Sequence, residues 1–317
     1  NATSGAQWYA VVISGTEVEC KVGSYNVLLG SGTVNVGFDV AALLTLGVTG
    51  GNGDNVGADQ SRGFATQCSD QAGWGSVFNP TTASASYQID GVIQADITSA
   101  AGGPTDTVLI PSYTATGFDL TVSGTPAWNI GYLAIGGDDV SANLVPILQP
   151  ASTGVQNTTI DATSPVAVFF GSTCKTASAS PSVSANHMIG VYDGSTNLSQ
   201  WWGNVNATSN RDRLGSTTKS ITMATATGVS TSTLNSTASC TLATTNIALN
   251  WTTVDGTARE VWALVLAQNL TGSSNPCGEN PQGSITVFKQ TMPTPSAVEF
   301  PFGTTGGLAP TTFSLAN

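Results

Sequence analysis

The stretch NIALNWTTVDGTAREVWALVLA, residues 246–267, decides the fold. In its first part Ile247, Leu249 and Trp251 alternate with Ala248 and Asn250, which is the period-two pattern of a β-strand with one buried face. A glycine-containing turn follows, and the run WALVLAQ predicts a second strand beyond it. The segment therefore predicts a strand, a turn and a returning strand.

An earlier stretch has the same form. Residues 117–137, GFDLTVSGTPAWNIGYLAIGG, place Phe118, Leu120 and Val122 in alternation before a turn and a second strand. The shift from Phe118 to Ile247 is 247 − 118 = 129 residues. Further upstream, FDVAALLTLG from Phe38 matches IDATSPVAVFFG from Ile160, with Ala42 and Ala167 offset by 167 − 42 = 125 residues. Two ordered correspondences at nearly equal offset predict a tandem duplication.

The duplication sets the fold class and the domain limits. Each unit has roughly 105–115 residues, enough for a core of its own, and its short strands are separated by frequent turn signals. We therefore predict an all-β protein with two tandem antiparallel β-sandwich, jelly-roll-like domains and extended N- and C-terminal arms. The predicted segments are an N-terminal arm (1–31), a first sandwich (32–140), a linker marked by two prolines (141–153), a second sandwich (154–271) and a C-terminal arm (272–317).

Composition restricts the partners. The 317 residues include only 8 Lys and Arg against 19 Asp and Glu, a formal net charge of −11. Binding to nucleic-acid phosphates requires clustered cations, so nucleic acid is excluded as an expected partner. No apolar run approaches the roughly 20 residues of a spanning helix, so we expect no membrane insertion. The five cysteines show no CxxC spacing; two disulfides are possible, and their pairing stays open.

The repeated segments resemble a module of phage and prophage virion proteins. In that module a G-F-T-L-N-W strand, a short D-x-x-A-R turn and a Y-L-A-L-G-G strand close the sandwich. Residues 244–267 and 116–137 are similar to this closing hairpin, FDVAALLTLG and SPVAVFFGS to its opening strand, and HMIG from His187 to its middle strand. The resemblance covers about two thirds of the chain. It implies a structural component of a virion.

A more distant similarity is to H-type lectins, six-stranded sandwiches that assemble as trimers and end in a comparable hairpin. It implies a sandwich fold, whereas none of their glycan-binding positions can be matched here. Aromatic rings that stack on sugars are the alternative basis for a glycan site. The candidates are Trp201, Trp202 and Trp74, for which packing in a core or an interface is the competing interpretation.

Catalytic and metal-binding patterns are weak. A Ser-His-Asp or Cys-His arrangement would have to use His187, the single histidine, and a structural role is favoured for it. The adjacent carboxylates Asp138 and Asp139 follow a strand and favour a turn. The loop GGNGDNVGAD supplies Asp54 and Asp59 as a calcium-loop candidate that occurs once and out of register. We expect no enzyme activity, no metal and no cofactor.

The function predicted from sequence is therefore that of a non-enzymatic virion structural protein, a capsid decoration, fibre or tail-surface component at the virion surface or outside the cell. Its expected partners are its own copies, with a trimer as one option, other virion proteins, and host-surface glycans as a further candidate. A carbohydrate-binding or cell-adhesion module is the alternative. The C-terminal arm carries the assembly candidates Phe288, Phe300, Phe302 and Phe313, and its strand SITVFKQ is expected to join a sheet edge on a neighbouring subunit or another virion protein.

Overall fold

The computed structural model describes residues 12–15, 17–27, 30–49, 59–68, 70–77, 84–96, 106–124, 128–162, 164–176, 182–205, 211–228, 231–268, 300–303 and 312–315. None of these residues lies in an α-helix, and every strand pairing among them is antiparallel. The prediction of an all-β protein is confirmed. Within the described ranges no helix is long and apolar enough to cross a membrane.

The first sandwich consists of a large and a small sheet. The large sheet has the order β1-β11-β3-β4-β5-β6, and the small sheet has the order β2-β10-β8-β7 with β9 beside β10. The strands are β1 (Glu19–Asn26), β2 (Gly32–Asn35), β3 (Val40–Thr49), β4 (Asp59–Thr66), β5 (Gln71–Val77), β6 (Ala85–Asp90), β7 (Gln94–Asp96), β8 (Asp106–Leu109), β9 (Tyr113–Thr114), β10 (Gly117–Ser123) and β11 (Trp128–Gly136).

The second sandwich repeats this plan. Its large sheet has the order β12-β22-β14-β16-β17-β18, and its small sheet has the order β13-β21-β20-β19. The strands are β12 (Val140–Leu148), β13 (Gly154–Thr159), β14 (Pro165–Ser172), β16 (Asn186–Tyr192), β17 (Asn197–Asn204), β18 (Arg211–Ser216), β19 (Ile221–Gly228), β20 (Thr231–Ala243), β21 (Asn246–Thr253) and β22 (Glu260–Gln268). A two-residue strand, β15 (Ser182–Val183), leaves this sandwich and pairs with β6 of the first.

The two sandwiches share one strand order. If β9 and β15 are set aside, each sandwich has ten strands. The ninth strand pairs with the second in both small sheets, and the tenth lies between the first and the third in both large sheets. The repeated motifs accordingly occupy equivalent strands, β10 and β21. Their alternation places Phe118 and Leu120 in the first core and Leu249 and Trp251 in the second, with Val122 packed partly buried against the first.

The chain divides differently from the predicted segments. β1 lies in the predicted N-terminal arm yet pairs along its whole length with β11, and β12 occupies much of the predicted linker yet pairs with β22. Pro146, which suggested a linker, stands in β12 at a sheet edge, where one side of the strand has no ladder to lose. β1 shows no alternation in sequence because most of its side chains are exposed.

The two large sheets pack face to face. Trp74, Phe64 and Ile135 of the first sandwich share one buried apolar cluster with Phe169 and Trp262 of the second. The layers therefore run small sheet, large sheet, large sheet, small sheet, and both sandwiches belong to one compact unit.

Residues 280–317 form a separate unit. Its described part is an antiparallel pair of strands, β23 (Phe300–Gly303) and β24 (Thr312–Leu315). Phe302 is opposite Phe313, and Phe300 is opposite Leu315. The predicted strand SITVFKQ lies outside the described residues.

Candidate functional site

The single histidine joins the two sandwiches. His187 in β16 is buried, and its Nε2 lies 2.5 Å from Oγ of Ser76 in β5. Its Nδ1 lies 2.9 Å from a terminal nitrogen of Arg62 in β4. The imidazole stacks on Trp202 of β17 with ring centroids 5.2 Å apart, and the guanidinium carbon of Arg62 lies 4.6 Å from the same indole ring. We refer to these four residues as the His187 cluster.

The donors and acceptors of the His187 cluster fix the tautomer of the imidazole. A guanidinium only donates hydrogen bonds, so Arg62 donates to Nδ1 and the ring proton is on Nε2. Nε2–H then donates to Ser76 Oγ. A nucleophilic serine needs the reverse, with Nε2 accepting the hydroxyl proton and Nδ1–H donating to a carboxylate. The Ser76–His187 pair therefore has the polarity of a structural contact.

Electrostatics hold His187 neutral. Burial, aided by the nearby charge of Arg62, places the pKa of His187 well below its ordinary value. Burial also lowers the pKa of Arg62 to about 10, so the guanidinium stays cationic at neutral pH. A protonated imidazole would turn an N–H toward the guanidinium, and neither group could accept. The cluster therefore requires an unprotonated histidine.

A second polar contact between the sandwiches is centred on Gln88. This buried side chain of β6 donates to Glu260 Oε2 at 2.7 Å and accepts from the backbone N–H of Thr173 at 3.2 Å. Ser172 Oγ donates to the backbone carbonyl of Glu260 at 2.6 Å and lies 3.4 Å from Gln88 Oε1. Burial raises the pKa of Glu260, and the bond from Gln88 opposes that rise. The amide of Gln88 thus fills a polar pocket made by strands of the second sandwich.

A short strand completes the connection. In β15, Ser182 pairs with Ser86 and Val183 pairs with Ala85, so the edge of the first large sheet is capped by chain from the second sandwich. Asn204 Nδ2 donates to Ser84 Oγ at 2.8 Å beside this edge. An open edge strand exposes unpaired backbone groups, and β15 satisfies part of that edge of β6.

Apolar packing between the large sheets depends on one glycine. The ring of Trp74 lies against Gly171 of β14, and a Cβ at Gly171 would be 2.1 Å from Trp74 Cζ2. Trp74 is 2% exposed and meets Phe64 edge-on with centroids 4.7 Å apart. The close approach of the two sheets at this point therefore requires that residue 171 have no side chain.

An apolar groove of about 300 Å³ opens where the two large sheets separate. Val22, Leu46 and Leu133 of the first sheet and Phe169 and Ile189 of the second line it, with Phe64 and Trp74 at the interface side. Val22 is 79% exposed and Leu46 is 58% exposed. The groove is thus an uncovered continuation of the apolar interface.

The three tryptophans predicted as glycan candidates differ in environment. Trp201 is fully buried in the core of the second sandwich, and Trp74 is buried between the large sheets. Neither ring is available to a sugar, so these two assignments are corrected to packing roles. Trp202 is half-buried. Because His187 and Arg62 are bonded to each other, they lie on the same face of the Trp202 ring.

The remaining predicted residues do not form a site in the described ranges. Asp54 and Phe288 lie outside the described residues. Asp59 is the first residue of β4, and its side chain is not among the parts described. Asp138 and Asp139 lie exposed in the turn between β11 and β12, as expected. Phe300 and Phe302 are in β23 and Phe313 is in β24. Within the described ranges no group of three or more His, Cys, Asp or Glu could hold a metal ion.

The cysteines fall into different classes. Cys68 is disulfide-bonded, with a partner outside the described residues. Cys20 is an exposed thiol on β1, whereas Cys174 and Cys240 are buried thiols in the second core. Burial raises the pKa of Cys174 and of Cys240 to about 12, so neither is a reactive thiolate in the folded protein.

Sequence reasoning missed Arg62, Ser76 and Gln88. Each is a polar residue in a strand, and its hydrogen-bond partners in the second sandwich are 84 to 172 residues away in the chain. A comparison with protein-family models found no match, and comparisons with curated proteins and with solved structures found none either.

Proposed function

We propose that this chain is a non-enzymatic structural protein of a virion surface, a capsid decoration, fibre or tail-surface component that acts by self-assembly and by binding a virion lattice. One observation carries the assembly part of the proposal. The paired sandwiches form one body whose internal apolar interface continues into an uncovered groove. Contiguous exposed apolar surface on a soluble protein is typical of a binding surface.

The contacts between the sandwiches support a structural role. Three features hold them together: the His187 cluster, the Gln88 contact and the β15–β6 strand pairing. A building block of an assembly must keep its binding surfaces in fixed relative positions, and a body locked in this way does so. The polarity of the Ser76–His187 pair also argues against hydrolysis by a serine nucleophile at this point.

The assignment to a virion rests on the resemblance of the repeated hairpin to the phage module. The expected partners are further copies of the chain and other virion proteins. The acidic, cation-poor composition is consistent with partners other than nucleic acid. The proposed location is the virion surface or the extracellular space.

Native mass and negative-stain imaging of the purified protein test this proposal. A structural component should form oligomers of defined size and symmetry at micromolar concentration, and particles or rods of regular outline should be visible. A protein that remains monomeric at all concentrations and shows no binding to virion particles would contradict the proposal.

A glycan-binding function remains the second candidate because Trp202 is half-buried rather than enclosed. Its ring is packed on one face by His187 and Arg62, so a sugar would have to use the other face, beside its cross-strand partner Arg213. A glycan array separates the two functions. Binding that Trp202→Ala abolishes would favour the lectin function, and an array without signal would leave the structural one.

A further inference from the structure

The two sandwiches differ in how far the equivalent faces of their large sheets are covered. In the first sandwich Leu133 pairs with Val22. In the second sandwich Leu264, which is equivalent to Leu133, pairs with Leu144. Val22 and Leu144 thus occupy equivalent positions, yet Leu144 is 4% exposed and Val22 is 79% exposed. The second large sheet is therefore covered at a position where the first is bare.

The neighbouring position shows the same difference. In the first sandwich Gly131 pairs with Leu46. In the second sandwich the equivalent of Gly131 is Trp262, which pairs with Gly171, the equivalent of Leu46. Gly171 is buried under Trp74, whereas Leu46 is 58% exposed. Positions that lie in the interface between the large sheets in the second sandwich are thus exposed apolar positions in the first. Continuity with that interface indicates that the groove is built to bury a further protein segment.

The chemistry of the groove selects an apolar occupant. Its walls are aliphatic and aromatic side chains, and the one charged residue among them, Arg62, is bonded to His187 and to Gln60. The volume of about 300 Å³ is at the small end of ligand pockets, about 300–1,000 Å³. Such a groove accommodates large apolar side chains from a peptide segment.

The chain itself contains a segment of this kind. Residues 280–317 form a unit separate from the sandwiches, and the described part of it is a two-stranded ribbon. An isolated two-stranded hairpin is at best marginally stable in water. This ribbon carries Phe300, Phe302, Phe313 and Leu315 within eight described residues, so it needs an apolar surface to be stable.

We infer that the groove binds the C-terminal segment, residues 280–317, of a second copy of the chain. This inference rests on the proposed assembly function and names its contact. Residues 280–299, which precede β23, can span roughly 65 Å when extended, which is sufficient to reach a neighbour. A contact between groove and C-terminal segment joins two different surfaces, so repetition of it produces a closed ring or an open filament.

Two single variants and their mixture test the contact. Leu46→Glu places a charge in the groove wall, and Phe302→Asp places one in the ribbon; each should weaken self-association by roughly a hundredfold or more because a charge would be buried against apolar side chains. Val155→Glu is the matched control, since Val155 is 66% exposed on β13 of the second small sheet. Val22→Glu, at a site 79% exposed, repeats the groove test at a position whose strand partner is Leu133, whereas the strand partner of Leu46 on β4 is the cation Arg62.

Mixing the variants identifies the partner. Leu46→Glu retains an intact C-terminal segment and Phe302→Asp retains an intact groove, so the mixture should form a one-to-one complex although each variant alone sediments as a monomer. The control should assemble as the unmodified protein does. Circular dichroism and thermal unfolding establish that every variant is folded.

Four results would overturn the inference. If Leu46→Glu and Phe302→Asp assemble normally, the groove contact is wrong while the proposed function stands. If only the groove variant loses assembly, or if the mixture stays monomeric, the occupant is not the C-terminal segment of a second copy. A monomeric unmodified protein would overturn the inference, and one that also shows no binding to virion particles would overturn the proposed function as well.

Discussion

Ser76 and His187 belong to different sandwiches, and their side chains are hydrogen-bonded across the interface with Oγ 2.5 Å from Nε2. Arg62 fixes the direction of this bond by donating to the other imidazole nitrogen. The single histidine thus links the two sandwiches through a Ser–His hydrogen bond whose polarity is the reverse of the one a nucleophilic serine needs.

Replacing His187 by Ala should destabilise the protein without removing a chemical activity. The change leaves Arg62 and Ser76 without their buried partner and removes the ring stacked on Trp202. We expect a loss of ~2–4 kcal/mol in the free energy of unfolding, measured in urea. Thr241→Ala, an exposed change on β20, is the control and should be close to neutral. Loss of a hydrolytic activity in the His187 variant, with its fold intact, would contradict the structural role.

Stability should fall on mild acidification. The folded-state pKa of His187 is well below the ordinary value, so below about pH 6.5 the unfolded chain binds a proton that the folded chain does not. The unfolded state is then favoured, and the free energy of unfolding should drop by up to ~1.4 kcal/mol per pH unit until the folded-state pKa is reached.

The His187→Gln variant isolates this effect. Its stability should be nearly flat between about pH 6.5 and 5. Asp70 and Glu260 have raised pKa values, so they bind protons more readily in the folded state and act with the opposite sign at lower pH. Equal slopes for the variant and the unmodified protein in this window would show that His187 is not the group responsible.

Gly171→Ala tests the packing of the two large sheets. The added methyl group would be 2.1 Å from Trp74 Cζ2, so one sheet must move or the indole must change position. We expect a cost of ~1–3 kcal/mol in unfolding free energy. Gly215→Ala is the matched control in β18, because the nearest atom to its Cβ is 3.8 Å away and its backbone is extended. If both changes have the same small effect, the close contact between the sheets is not present in solution.

Thiol labelling should distinguish the cysteines by burial. A maleimide should modify Cys20 in the folded protein, and Cys174 and Cys240 should react only after denaturation. Mass spectrometry of peptides measures each site, and Cys20→Ser should remove the native-state signal. Rapid labelling of Cys240 without denaturant would mean that the second core opens far more readily than its packing implies.

Part of the fold was accessible from sequence because its signals are local. The alternation around Phe118 and Ile247 predicted equivalent strands, and the structure places them in equivalent positions of two sandwiches with one strand order. β12 was not recognised because Pro146 resembles a linker signal when the position of the strand at a sheet edge is unknown.

The candidate site depended on contacts that local patterns do not encode. Trp74 and Trp201 stand in similar sequence contexts in the two repeats. Trp74 nevertheless faces the interface between the large sheets, and Trp201 faces the core of the second sandwich. The partners of His187 are 111 and 125 residues away from it in the chain. Only the packing of one large sheet on the other brings Arg62 and Ser76 to the imidazole.

Sedimentation velocity of the chain truncated after Glu279 tests the central claim most directly. The truncation keeps the compact unit that contains both sandwiches and retains all five cysteines. The far-UV spectrum and the melting temperature should match those of the full chain, because the sandwiches are held by their own contacts. The full chain should sediment as a defined oligomer and the truncated chain as a monomer. A truncated chain that assembles as the full chain does would contradict the account.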